Sequence, residues 1–217
     1  MKPLAHGHKP IGVLVVDDHP TFRRGLKNAF AETHDIEVIG EASHGNDVSH
    51  GIQETNPSLV LLDIALPGKP GLEVLKQIKE EFPKVPVLIL SMYPEDQYAI
   101  RLFKAGASGY LNKDSDIDTI LEAVRKVANG GRFASPQITE KLAFDFLKSE
   151  KPPHELLSDR EYQVFLMIAA GQTLTEIGLD LSLSVKTIST YRTRILEKMG
   201  MKKNAEIIHY TIQHNLL

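Results

Sequence analysis

The sequence predicts an α/β domain built on a five-stranded parallel, doubly wound sheet, followed by an all-α domain of four helices. Two observations carry that expectation. Between Ile11 and Gly131, five short apolar runs alternate with five helical patterns, which is the signature of a parallel sheet covered on both faces. From Leu157 onward only helix signals occur, and two of the helices open on capping boxes, Ser158-Asp159-Arg160-Glu161 and Thr173-Leu174-Thr175-Glu176. A length of 217 residues also exceeds the usual single domain. The expected division is a flexible tail over 1–10, the α/β domain over 11–130, a linker with one helix over 131–153, and the helical domain over 154–217.

The elements follow in order. Ile11–Val16 is an apolar run that reads as a buried strand and ends in Asp17-Asp18. Pro20 suits a first helical turn, ahead of Phe22, Leu26 and Phe30 at four-residue spacing. Ile36–Ala42 is the second strand, and Val48–Ile52 lies in a short helix. Leu59-Val60-Leu61-Leu62 is the third strand, closed by Asp63 and the turn residues Leu66-Pro67-Gly68. A helix with Leu72, Leu75, Ile78 and Phe82 on one side comes next. Val85–Leu90 is the fourth strand and ends in Ser91. Pro94 opens a helix with Ile100 and Phe103 facing inward, and Ser108–Leu111 is a fifth strand leading to Asn112-Lys113. A helix bearing Ile117, Leu121, Val124 and Ala128 stops at Gly130-Gly131. In the linker, Ser135-Pro136 starts a helix with Ile138, Leu142 and Phe146 on one stripe, and Lys148–Pro153 is a polar, proline-broken tether.

Composition excludes several functions. There is no cysteine, so disulfides, zinc-thiolate sites and thiol catalysis are ruled out, which suits a cytoplasmic protein. No apolar run approaches the roughly 20 residues of a membrane span, and the first ten residues lack an apolar signal core. The net charge of −3 conceals an asymmetry. Between Lys186 and Lys203, Lys186, Arg192, Arg194, Lys198, Lys202 and Lys203 stand against Glu197 alone. A cluster of that sign attracts a polyanion, because fields fall off within a Debye length of about 10 Å.

In a parallel sheet with right-handed crossovers, all the strand carboxyl ends lie on one edge. That edge gathers Asp17, Asp18, Asp63, Ser91 and Lys113. Asp63 alone is equally readable as a helix cap. Three carboxylates together are not, since they repel unless a cation sits among them. Mg²⁺ is the hard ion whose oxygen coordination fits such a set with waters and a phosphate.

With these residues, 11–130 resembles a receiver domain of a bacterial two-component response regulator. The resemblance rests on Asp17-Asp18-His19-Pro20, on Asp63 with Leu66-Pro67-Gly68, on Ser91, and on Tyr110-Leu111-Asn112-Lys113. It implies that Asp63 accepts a phosphoryl group from a histidine kinase, and that Asp17, Asp18, Asp63 and the Ala65 backbone carbonyl hold Mg²⁺. It further implies that Ser91 and Lys113 contact the phosphoryl oxygens and that Tyr110 is an aromatic switch turning inward. Asp114 stands where that family often has proline after the lysine, and Met92 where a small residue is common.

In the second half, a short helix with Ile177 and Leu181, a break at Ser182-Leu183-Ser184 and a longer basic helix are the ingredients of a helix-turn-helix. On the longer helix Ile188, Tyr191, Ile195 and Met199 share an inward face, leaving Lys186, Ser189, Thr190, Thr193 and Arg194 outward. The last helix carries Ile208, Ile212 and Leu216 on one stripe. The segment from Leu157 resembles the DNA-binding module of the NarL/FixJ (LuxR-type) family over Leu157–Glu161, Gly171, Glu176-Ile177, Ser184–Ile188 and Ile195–Gly200. Gly178 stands where alanine is usual there, and a glycine loosens a helix by about 1 kcal/mol. The residues expected on double-stranded DNA are Lys186, Thr187, Ser189, Thr190, Arg192, Thr193 and Arg194. Lys186, Arg192 and Arg194 are assigned to phosphates, and Ser189, Thr190 and Thr193 to base edges. Ile208 and Ile212 are expected to pair two copies as an activated homodimer, with RNA polymerase a further partner.

The expected function is therefore phosphorylation-controlled, sequence-specific DNA binding by a non-enzymatic regulator of transcription. The alternative is phosphorylation-independent DNA binding, or an adaptor acting through its first domain. A phosphatase or nucleotide-binding enzyme is disfavoured because no Gly-rich phosphate loop follows the first strand.

Overall fold

The structure, a computed structural model, describes residues 9–67, 69–93, 95–145, 152–214 and 216. The tail to His8, Gly68, Pro94, Phe146 and the Lys148–Lys151 part of the tether lie outside the described residues. The first half runs β1 (Ile11–Val16), α1 (Pro20–Ala31), β2 (Ile36–Ala42), α2 (Val48–Thr55), β3 (Leu59–Leu62), α3 (Gly71–Glu81), β4 (Val87–Ser91), α4 (Glu95–Lys104), β5 (Gly109–Asn112) and α5 (Ile117–Ala128). The second half runs from α6 (Pro136–Asp145) through a 3₁₀ turn (Pro153–Leu156) to α7 (Asp159–Ala169), α8 (Leu174–Asp180), α9 (Val185–Met199) and α10 (Asn204–Gln213).

All five strands are parallel, in the order β2-β1-β3-β4-β5. The central strands are buried on both faces, which is why they read as unbroken apolar runs rather than alternating ones. Alternate strand residues feed two core layers. Val13, Val15, Leu59, Leu61, Leu88 and Leu90 pack with Leu26 and Phe30 of α1 and Ile120 and Val124 of α5. Leu14, Val60, Leu62, Val87 and Ile89 face α2, α3 and α4, and this layer continues into Tyr162, Phe165 and Ile188 of the second half. The chain reverses its direction of travel across the sheet between β1 and β3, so the crevice at that switch point opens between the strand ends bearing Asp17 and Asp63.

One local expectation changes. On α4 the inward residues are Tyr98, Ala99, Leu102 and Phe103, whereas Ile100 is only half-buried, because α4 turns Tyr98 and Leu102 toward the second half. On α10 the inward positions are Ile207 and Thr211; Ile208 is half-buried and Ile212 is 61% exposed. Gly178 is a packing requirement rather than a loosened helix. A Cβ there would stand 2.9 Å from the Leu183 carbonyl oxygen, so α8 meets the turn that follows it at backbone distance. Gly71 is tighter still, its virtual Cβ falling 2.3 Å from Ile64 Cα, which seats α3 directly against the chain leaving β3.

Candidate functional site

The β-ladder positions the acidic residues. The Asp63 N–H donates to the Val16 carbonyl (2.9 Å) and that of Asp17 to the Ala42 carbonyl (3.0 Å), so each carboxylate sits one step beyond its strand. Both residues are almost wholly buried, at 1% and 2% exposure. Asp63 Oδ1 accepts from the Ala65 N–H (2.9 Å), and Asp17 Oδ1 accepts from the His19 N–H (2.8 Å). Lys113 arrives from the end of β5, where its N–H donates to the Ser91 carbonyl (2.9 Å). Its ammonium bridges the remaining oxygens, 2.6 Å from Asp63 Oδ2 and 2.7 Å from Asp17 Oδ2, with its charge over the Phe22 ring.

Two anions thus share one cation in a buried site. Burial pushes the Asp63 carboxyl above its ordinary value, against the pull of Lys113 and the Ala65 N–H, while Asp17 adds to the rise. Burial pulls the Lys113 ammonium down, but the carboxylates of Asp63 and Asp17 outweigh it and hold the amine protonated. Asp18 adds a third carboxylate. Its Oδ1 is buried and makes no hydrogen bond among the described residues, although His19 Nδ1 lies 2.8 Å away without hydrogen-bond alignment. Ligand atoms of Asp17, Asp18, His19 and Asp63 all lie within 4.8 Å of one another. An orphaned buried oxygen amid excess negative charge is an arrangement that a divalent cation completes, so the residues fit Mg²⁺.

Ser91 is fully buried, and its Oγ accepts from the Tyr93 N–H (3.1 Å), which leaves the hydroxyl hydrogen to be donated. Tyr110 already lies inward at 1% exposure, with its hydroxyl donating to the Tyr93 carbonyl (2.6 Å). Ser91 and Tyr110 therefore hold opposite ends of one residue, Tyr93. Tyr110, expected to turn inward, is thus already inward in this structure. Met92, beside them, is 57% exposed and projects to solvent at the rim.

Tyr93 leads to a contact between the two halves that no sequence signal identifies. Its ring packs 4.9 Å from that of Tyr98 on α4, which meets Tyr162 on α7 edge-on at 5.7 Å. Arg101 stacks 4.3 Å over Tyr162, donates to the Leu157 carbonyl (2.6 Å) and faces Asp159 (3.4 Å). Lys76 reaches Asp159 (2.6 Å) and Lys104 reaches Glu155 (3.0 Å). Among the described residues the buried Tyr98 hydroxyl and Arg101 Nη1 find no hydrogen-bond partner there, so the contact is specific but imperfectly satisfied. Asp159 was legible only as part of a capping box, and nothing in the chain pairs it with Arg101, 58 residues away.

The helix-turn-helix is built by its caps. Thr173 and Glu176 form the box that opens α8, and Ser184 accepts from the Thr187 N–H (3.1 Å) to open α9. Ile188, Ile195 and Leu196 bury one face of α9, while Gly200 ends it in the left-handed region at φ 66°. Lys186, Ser189, Thr190, Thr193 and Arg194 are exposed together on the other face. Thr190 and Thr193 donate to the carbonyls of Lys186 (3.0 Å) and Ser189 (3.1 Å), which fixes their rotamers and turns hydroxyl lone pairs outward. Two of the expected DNA residues are engaged within the protein. Arg192 is half-buried with Nε on Asn204 Oδ1 (2.6 Å), and the Thr187 hydroxyl meets that of Ser184 (2.8 Å).

A doubly wound domain with an acidic pair, an aspartate, a serine and a lysine on one sheet edge, followed by a helix-turn-helix, defines the class of response regulators. The chain belongs to that family: residues 13–125 match the response regulator receiver domain, and residues 155–211 match the bacterial regulatory proteins of the luxR family. It is 37% identical over 212 residues to the response regulator GacA of Pseudomonas aeruginosa, covering 95% of this chain and 98% of that one. It is 35% identical over 208 residues to the response regulator UvrY of Escherichia coli, covering 95% of each. Among solved structures, the response regulator ChrA of a heme-sensing two-component system matches with a TM-score of 0.52 at 28% identity, over 96% of this chain and 99% of that one. The protein is a two-component response regulator with a LuxR-type DNA-binding domain, a regulator of transcription. Among the described residues, no helix is long and apolar enough to cross a membrane.

Proposed function

We propose that a histidine kinase transfers a phosphoryl group to Asp63, and that this controls dimerisation and sequence-specific binding to double-stranded DNA. The observation that carries the reading is the Lys113 ammonium bridging Asp17 and Asp63 beside the orphaned Asp18 oxygen. In the transfer, an Asp63 carboxylate oxygen attacks phosphorus, the phosphorus–nitrogen bond of the phosphohistidine breaks, and the imidazole nitrogen leaves with the electron pair. Asp17, Asp18, Asp63 and the Ala65 carbonyl would hold Mg²⁺, which supplies charge neutralisation for the phosphoryl oxygens. Lys113 pairs with one phosphoryl oxygen and Ser91 donates its hydroxyl hydrogen to another. The protein accepts the group rather than turning over a substrate, so it is not a dedicated enzyme.

Coupling follows from the Tyr93 contacts. Drawing the Ser91 hydroxyl toward a phosphoryl oxygen shifts the Tyr93 N–H, and with it the carbonyl that Tyr110 holds and the Tyr98 ring that touches Tyr162. The α7 contact is thereby loosened, and the second half is freed to pair through Ile208 and Ile212. In the closed form the DNA-facing side of α9 is already exposed, so control acts on pairing rather than on covering that face. RNA polymerase is then the partner of the DNA-bound dimer, in the cytoplasm. DNA binding measured with and without a small phosphodonor tests this. The expectation is a marked gain in affinity for wild type and none for Asp63→Asn; an equal gain in both would overturn the reading.

A further inference from the structure

A cleft of about 560 Å³ lies at the amino-terminal edge of the sheet, opposite the acidic pocket. The loops after α2, α3 and α5 and the entries to β4 and β5 form it. Among the described residues three cations line it, Lys79, Lys84 and Arg132, together with the hydroxyls of Ser58 and Ser108, and no carboxylate contributes to its wall. Lys79 is half-buried, its burial pulls the ammonium down, and its bond is to the Val85 carbonyl (2.6 Å) rather than to an anion. Lys84 and Arg132 make no ion pair among the described residues, although the chain as a whole carries more acid than base. Ser58 Oγ accepts from the Gly12 N–H (3.3 Å), which directs its own hydrogen elsewhere.

A half-buried ammonium without a counter-charge, in a concavity within the size range of small-ligand sites, is an incomplete arrangement. We propose that this cleft binds a small phosphate-bearing anion, with Lys84 and Arg132 as its charged clamp, Lys79 at its floor, and Ser58 and Ser108 donating to phosphate oxygens. The competing explanation is that the cations only offset the carboxyl ends of the three helices that finish here. Lys79 serves that role in the last turn of α3, but Lys84 and Arg132 lie beyond the helix ends, in the cleft wall.

The test uses inorganic pyrophosphate as the probe on the full chain, without magnesium, followed by amide NMR shifts. Saturable shifts are expected on Ser58, Ser108 and Arg132, with affinity falling about tenfold in Lys84→Ala and again in Arg132→Ala, as loss of one charge-assisted bond requires. Both side chains are exposed, so the variants keep the fold, and their unshifted spectra elsewhere verify this. Shifts confined to α9 or to the surroundings of Asp63 would overturn the proposal. So would variants that lower the melting temperature without changing pyrophosphate affinity, since that is the helix-end role alone.

Discussion

Arg101→Ala opens the contact between the two halves. Arg101 makes a charged hydrogen bond to the Leu157 carbonyl, worth about 1.5–3 kcal/mol, and a partly desolvated cation–π contact with Tyr162, worth about 1–2 kcal/mol. Against these, removing the guanidinium also removes Nη1, buried without a partner among the described residues, and returns about 1–3 kcal/mol. The Asp159 contact at 3.4 Å is weak and already served by Lys76, so it adds little. Taken at their midpoints these contributions leave a net loss of about 2 kcal/mol, a rise of roughly 30-fold in the ratio of open to closed forms. Because the chain has no cysteine, labels placed by Arg24→Cys and His209→Cys, both exposed, report the distance between halves without interference. Pulsed electron resonance should show a second, longer and broader population in Arg101→Ala. An unchanged distribution would mean that α4 does not hold α7, and the proposed path from Tyr93 to Tyr162 would fail with it.

Other outcomes follow from the second half. Glu161 accepts from the Ser158 N–H (2.7 Å) and from Lys198 (2.6 Å); burial raises its pKa, but Lys198 and Ser158 outweigh this and the net shift is downward. Its stabilisation is therefore present above the unfolded value of about 4.5 and is lost as pH falls through the lower folded value. Glu161→Gln should cost about 1–3 kcal/mol in urea unfolding at neutral pH and shrink that acid-side loss, and an unchanged pH profile would contradict it. On DNA, Lys186→Ala should weaken binding to all sequences alike and reduce the salt slope by about one unit, whereas Thr190→Ala should alter base preference. Binding of both variants to cognate and scrambled duplexes across a salt series checks this, and a reversal of the two effects would mean that α9 is wrongly oriented. Arg192→Ala should act chiefly on stability, since its Nε is held by Asn204, and a salt slope reduced as much as by Lys186→Ala would contradict that.

The sheet was legible because its strands are buried on both faces, and the acidic site because strand ends in a parallel sheet converge by topology alone. Asp17, Asp18, Asp63, Ser91 and Lys113 needed no knowledge of side-chain conformation to be placed together. The helix caps were equally local, as Ser158 with Glu161 and Ser184 with Thr187 show. What stayed hidden depends on how two units dock. Asp159 and Tyr162 sit on a helix whose sequence explains them fully as cap and core, and Arg101 looks like any basic residue in a last helical turn. The inward state of Tyr110 was hidden for a related reason, since it depends on where the Tyr93 carbonyl stands, a backbone position that periodicity does not fix. Which of the adjacent Ile207 and Ile208 turns inward on α10 was not legible either, because only the packing against α7 chooses between them.

Asp63 as the phosphoryl acceptor is the claim on which the regulatory account rests. Incubating the full chain with a small phosphodonor and Mg²⁺, then locating the added phosphoryl group by mass spectrometry, tests it most directly. One phosphoryl group on Asp63 in wild type, and none in Asp63→Asn, is the expected result. A stable phosphoryl group on another residue, or undiminished labelling of Asp63→Asn, would contradict it.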